Sequence, residues 1–287
     1  MLDCFDVAQS LWQSLRSFIC LTVCTLAKES FLYNDTKPLF NMLEEVSQRS
    51  SVSRGQSFED FLHVSVCALG HPLMEDEYLK TIEKHKAGSQ GKRGVDTLAK
   101  MFGTMVATME KTRQDVLGDL FQGGITYGEK GQFLTPEPIC EMMARMNLPS
   151  EKTDLDGRRT VNDPCCGSGR MLLAAAQLQP NWQFVGQDVD LRCVRMTAIN
   201  LALRNHYGHV VHGNSLSNSC DLIYETGRVQ VWGNAIRKVG RVPLPDREPE
   251  KVDVTPPSIR PTSTGQSTSV SSSSDSQLPA GKQLELF

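Results

Sequence analysis

The chain has 287 residues, room for one sizeable domain and a smaller one around a proper core. Its net charge is −3 and its pI about 6.1, so it lacks the basic footprint of a free-standing nucleic-acid binder, which argues against tight non-specific DNA binding by the chain alone. Nine cysteines are scattered with no Cys-x-x-Cys pair and no secretory leader, which reads as reduced thiols in a cytosol rather than a disulfide framework.

Residues 1–48 read as two helices. The first carries Phe5, Leu11, Trp12, Leu15, Phe18, Ile19 and Leu26. Its apolar stretch 18–27 is too short to span a bilayer and has no basic leader, so it is expected as a buried helix segment. Asn34-Asp35 breaks the pattern, and Pro38 suits the first turn of the next helix. Residues 48–56, rich in Ser and Arg, read as a loop, with Ser57 as the N-cap of a helix over 58–69. Gly70-His71-Pro72 stops that helix, and another is expected over 74–85. Residues 87–94 form a flexible loop whose Lys92 and Arg93 are expected in solvent. An amphipathic helix over 95–110 turns Leu98, Phe102, Met105, Val106 and Met109 to one side, as core. Residues 1–120 are thus expected to be helical. Thr135-Pro136 reads as cap and first turn of a helix over 137–146.

The pattern then changes. A short entry at 158–161 leads into Asp163-Pro164-Cys165-Cys166-Gly167-Ser168-Gly169, followed by an apolar helical run over 171–176. Strand, glycine turn and helix make a nucleotide-type cradle: glycines let the backbone approach a ligand, and the helix aims free N–H groups at it. A second short strand, 182–185, ends in Gly186-Gln187-Asp188-Val189-Asp190, where an acid suits ribose hydroxyls. A helix over 192–204 follows, then a third strand, 209–211, ending in His212-Gly213-Asn214-Ser215. His206, His209 and His212 straddle a loop and a strand, where a spacing of three splits their faces and disfavours a metal site.

These strings together resemble the N-6 adenine DNA methylase family, the modification subunits of type I restriction-modification systems and their relatives. Gly131-Gln132-Phe133-Leu134-Thr135-Pro136 is similar to that family's G-Q-F-F-T-P, the glycine turn to D-P-A-C-G-S-G, and the segments at 186–190 and 212–216 to G-Q-D-I-D and H-G-D-S-L. The resemblance covers about 115–223. It implies S-adenosylmethionine on a Rossmann-like sheet and methyl transfer to adenine N6 in DNA. It implies that the turn at Phe133, Thr135 and Pro136 closes over the methionine end of the cofactor, and that Asp163 faces the methionine ammonium. Gly167 and Gly169 would allow close approach, with Cys165 and Val189 beside them, Asp188 on the ribose and Asn214 by the adenine. Cys165 and Cys166 are expected to pack rather than to do redox chemistry.

The family's N-P-P-F loop, which orients the target amine and stacks on the flipped base, should follow a strand of the form here read at 220–224. In register stand Thr226, Gly227, Arg228 and Val229, none of which can do that work, and no other N-P-P-aromatic string occurs in the sequence. Trp232-Gly233-Asn234 offers a ring and an Asn in the wrong order. Strand and helix patterns stop near Val239, so the methyltransferase sheet is expected to be incomplete, as in short relatives from phages and mobile elements. Residues 241–282, rich in Pro, Ser and Thr, are expected to be disordered. The chain ends Gln283-Leu284-Glu285-Leu286-Phe287. With Gln283, Leu284, Leu286 and Phe287 as its contacts, this string resembles the pentapeptide by which bacterial replication and repair proteins dock on the sliding clamp.

The expected architecture is a helical domain over 1–120, a Rossmann-like α/β domain over 121–240 and a tail over 241–287. The expected function is that of a cytoplasmic bacterial protein that binds S-adenosylmethionine and belongs to the adenine-N6 methyltransferases. It meets DNA through a partner chain such as a specificity subunit, and the alternative is a non-transferring regulator or accessory of DNA processing.

Overall fold

The structure, a computed structural model, describes residues 30–126, 132–149, 159–227, 235–240 and 284–285. The expected first helix, Gly131, Arg228, Val229, the Trp232-Gly233-Asn234 string, residues 241–282 and Gln283, Leu286 and Phe287 lie outside the described residues.

Helix α1, Thr36–Ser50, carries Pro38 in its first turn and buries Leu39, Phe40, Leu43 and Val46 along one stripe. Helix α2, Arg54–Leu69, starts earlier than expected. Ser53, not Ser57, is the cap, its side-chain oxygen accepting the Gln56 N–H, and Ser57 is wholly buried inside the helix. The expected loop over 48–56 therefore shrinks to a tight link, opened by Ser51 in the left-handed region at φ 52°. Helix α3, Glu75–Ile82, runs on as a 3₁₀ turn, Glu83–His85. The buried His85 is held there by Asp60 Oδ2 at 3.0 Å and Ser50 Oγ at 2.6 Å. Helix α4, Gly94–Thr112, is closed at its start by Asp96, which accepts from the Arg93 backbone and side chain. It buries Leu98, Met101, Met105 and Met109, with Phe102 and Val106 only partly covered. A short helix α5, Val116–Leu120, leads directly into a wide π-helical turn, Phe121–Thr126. Helix α6, Glu137–Asn147, has Pro136 at its cap position and no side chain closing it, so Thr135 does not serve as the expected cap.

The sheet begins with β1, Thr160–Asp163, and alternates through α7, Arg170–Leu178, β2, Gln183–Asp188, α8, Leu191–Leu203, and β3, Gly208–His212. These three strands are parallel, in the order β1-β2-β3. Two antiparallel strands, β4, Leu222–Thr226, and β5, Ile236–Val239, extend the β3 edge, and a short strand β6, Leu284–Glu285, pairs parallel to the free edge of β1. The full order is β5-β4-β3-β2-β1-β6. One continuous apolar core runs from Leu39 through Phe61, Met105 and Val161 to Ile236, so the helical part and the sheet are packed into one another. Among the described residues no helix is long and apolar enough to cross a membrane.

The strand at 222–226 turns back antiparallel along β3. A parallel strand beside β1 needs a crossover of about a dozen residues or more after β3. The segment 213–221 is shorter than that, and its ends are tied: Gly213 N–H donates to Asp188 O at 3.0 Å and Asp221 N–H to His212 O at 2.8 Å. The chain turns back as a hairpin, with Gly208 opposite Thr226 and His212 opposite Leu222.

Candidate functional site: a glycine turn between two carboxylates

The ends of β1 and β2 and the start of α7 meet at one corner. Asp163 closes β1 and is almost wholly buried, its Oδ1 accepting the Cys165 N–H at 3.1 Å. The backbone then reverses through Gly167 at φ 54° and Gly169 at φ 88°, a region that favours glycine. A Cβ on Gly167 would stand 2.7 Å from Leu134 Cδ2, and one on Gly169 would stand 3.0 Å from Thr197 Cγ2. The turn is locked by Gly169 N–H to Cys166 O at 2.7 Å and Cys166 N–H to Gln187 O at 2.9 Å, which tie it to the neighbouring strand.

Asp188 sits at the end of β2. Its Oδ2 accepts the Gly167 N–H at 3.0 Å and its Oδ1 the Asp190 N–H at 2.9 Å. Asp190 caps α8 and takes Arg192 and Gln132 as donors. Burial raises the carboxyl of Asp163 to about 6, with the neighbouring Asp188 charge adding to the effect. Burial also raises Asp188, against the backbone donors that lower it. Two desolvated carboxylates flanking a glycine turn make a corner that a cation would relieve.

The remaining expected residues divide. Phe133 is exposed at 71% and Val189 at 64%, while the Leu134 side chain lies over Gly167. Thr135 contributes its carbonyl, which accepts from Arg170 Nη1 at 3.4 Å. Pro136 starts α6 next to it. Asn214 is exposed past β3, its side-chain oxygen accepting the Leu216 N–H at 2.9 Å. Cys165 is exposed and Cys166 buried against Thr197. Thr226 is not in the corner. It pairs with Gly208 at the entry end of β3, buried, donating to His206 O at 3.1 Å, so it and Gly227 stand at the opposite end of the strands from Asp163 and Asp188.

Under the turn lies a buried polar hub that sequence reading missed. Asp115 Oδ2 accepts from Ser168 Oγ at 2.5 Å and Arg170 Nε at 2.8 Å, and its Oδ1 accepts from Asn200 Nδ2 and the Gly118 N–H, both at 2.9 Å. Asn200 also donates to Ser168 O at 2.9 Å. Arg170, though largely buried, is held above its ordinary range by Asp115, which outweighs its desolvation. The available signal was Arg170 itself, a charge directly ahead of an apolar helical run, which requires a buried acid.

Residues 113–226 match the model of the family described as N-6 DNA Methylase, a span running from the approach to Asp115 to the end of β4. Among solved structures the chain is similar to a class I S-adenosylmethionine-dependent methyltransferase from Listeria monocytogenes, at 17% identity and a TM-score of 0.37, covering 64% of this chain and 55% of the other. It is also similar to the type I restriction-modification system methyltransferase subunit from Streptococcus thermophilus, at 18% identity and a TM-score of 0.34, covering 75% of this chain and 48% of the other. The chain therefore spans about half the length of these two proteins. No curated protein matches it.

Proposed function

We propose that the chain binds S-adenosylmethionine in the corner between Asp163 and Asp188 and represents the cofactor-binding part of a DNA adenine-N6 methyltransferase that does not transfer the methyl group by itself. The cofactor would supply the electrophilic methyl. The corner fits it: Gly167 and Gly169 leave no room for a side chain, and the buried Asp163 suits the methionine ammonium. Asp188 suits the ribose hydroxyls, Asn214 the adenine edge, and Phe133, Thr135 and Pro136 the cover over the methionine end, with Cys165 and Val189 at the rim.

The observation that carries the second half of the proposal is the reversal of β4. Orienting an exocyclic amine takes acceptors held next to the methyl donor. Thr226, which stands in register for the amine-orienting Asn, is buried at the far end of the sheet. Methylation then requires a second chain that brings both the amine acceptors and the DNA contacts that a net charge of −3 does not provide. A specificity subunit is one such partner. The rival reading is a regulator that binds the cofactor and never transfers it.

A bacterial sliding clamp is a weaker partner assignment, because Leu284–Glu285 pairs with Val161 and Asn162 and its backbone is committed to the sheet.

Calorimetry with S-adenosylmethionine tests the first half. Binding is expected at a stoichiometry of about one, weakened by roughly 2–3 kcal/mol in Asp188→Ala on loss of charge-assisted hydrogen bonds. No heat at millimolar cofactor overturns it. Tritiated cofactor and unmethylated DNA test the second half: labelling by the chain alone, abolished in Asp163→Ala, overturns it.

A further inference from the structure

We infer that His63, Cys67 and Glu77 form a zinc-class metal site at the junction of α2 and α3, built from residues outside the glycine turn and independent of the function proposed above. His63 and Cys67 are one turn apart on α2, so both face the same side, and Glu77 comes back to them from α3 after the reversal at 70–74. One nitrogen, one sulfur and one carboxylate oxygen from these residues all lie within 4.8 Å of one another. Tetrahedral zinc, with ligands at about 2.0–2.3 Å, holds neighbouring ligand atoms roughly 3.3–3.8 Å apart, so the group needs only a small closing movement. Mixed nitrogen, sulfur and oxygen donors suit zinc rather than calcium or magnesium.

The hydrogen bonding around His63 points the same way. Thr81 Oγ1 donates to Glu77 O at 2.7 Å, which uses its only proton. In a hydrogen bond with His63 Nδ1, 3.4 Å away, the hydroxyl would then be the acceptor. In the neutral imidazole this leaves the Nε2 lone pair facing Glu77 Oε2 at 3.2 Å, acceptor against acceptor. A metal ion between them resolves that conflict. Thr81 then plays the outer partner that fixes the ring, and Lys238, 2.9 Å from Glu77 Oε1, holds the carboxylate oxygen that the metal does not use. A proton on Nε2 resolves it as well, either as the neutral Nε2–H tautomer donating to Glu77 and giving up the long Thr81 contact or as an imidazolium paired with Glu77, and the experiment separates both from a metal. The neighbouring cations Lys238 and Arg195 oppose a bound cation, and burial pushes the Cys67 thiol up to about 12, so a metal has to displace its proton to gain the thiolate.

Cys67 is buried, while His63 and Glu77 line an open cleft of about 710 Å³ with Asp60, Lys80 and Lys84. Three protein donors with the fourth position toward a cleft leave room for water or an exogenous ligand.

The full-length protein, stripped with a chelator, is dialysed against micromolar Zn²⁺ and, separately, loaded with Co²⁺. One tightly held zinc per chain is expected, and a thiolate-to-cobalt charge-transfer band. Removing an outer partner of a metal site costs about 10–100-fold in affinity, so His63→Gln and Cys67→Ser should each cost at least that. Cys67→Ser should also lose the band, whereas Cys220→Ser should keep both. Glu77→Gln, at a half-exposed position, serves as a third variant should either core substitution unfold the protein. No retained zinc in the wild type, or retention unchanged in the His63, Cys67 and Glu77 variants, overturns the site and leaves a proton between His63 and Glu77.

Discussion

At the scale of single residues, Asp163 links cofactor affinity to stability. Its carboxyl is raised from an ordinary 3.8 to about 6 by burial, so the folded state resists its ionisation. Such a group is without penalty below the unfolded value, and the penalty grows as pH rises and is complete above the folded value. The shift corresponds to about 3 kcal/mol at most by area-independent linkage. Asp163→Asn should therefore raise the stability of the cofactor-free protein at pH 8 and change it little at pH 4, measured by urea unfolding at both. The same substitution should weaken S-adenosylmethionine binding, since the ammonium loses its counter-charge. Wild-type affinity should itself fall as pH drops below about 6 and Asp163 takes up a proton. Equal stability of wild type and variant at pH 8 would show that the carboxylate is better solvated than its burial implies.

At the scale of elements, what was legible in the sequence followed local rules. The glycine turn was readable because the left-handed backbone at Gly167 and Gly169 tolerates little else. The βαβ run was readable because apolar strands and helices alternate through it. The direction of β4 was not. Residues 220–224 carry the same apolar pattern in either orientation, and only the shortness of the 213–221 link decides against a crossover. The start of α2 was misread because Ser53 and Ser57 are both acceptable caps, and burial of Ser57 decides between them. The hub was hidden because Asp115, Ser168, Arg170 and Asn200 are scattered in sequence and meet only after folding. Asp115→Ala would leave Arg170 buried without its acid and should cost about 3–5 kcal/mol. Asp115→Ala combined with Arg170→Met should regain part of that loss, and denaturant unfolding of the single and double variants reads the coupling. A double variant less stable than the single one would make Arg170 useful to the fold without its partner.

At the scale of the whole molecule, the helical part and the sheet share one core, and the hub fastens Asp115, just ahead of α5, to α7 and α8. Thermal unfolding is expected as one cooperative transition seen identically by far-ultraviolet and near-ultraviolet circular dichroism, and two separated transitions would mean that the halves are only loosely joined. The sheet has two ends of unlike character. One is closed by the antiparallel pair β4 and β5, and the other, β1, is closed among the described residues by the short pairing of Leu284–Glu285. A strand stripped of its neighbour offers a row of unused donors and acceptors to any extended chain that approaches. Removing residues 281–287 is therefore expected to increase self-association in light scattering relative to the full chain, more strongly as concentration rises. Leu284–Glu285 would then act as a guard against aggregation, covering a β1 edge that could recruit copies of the same chain.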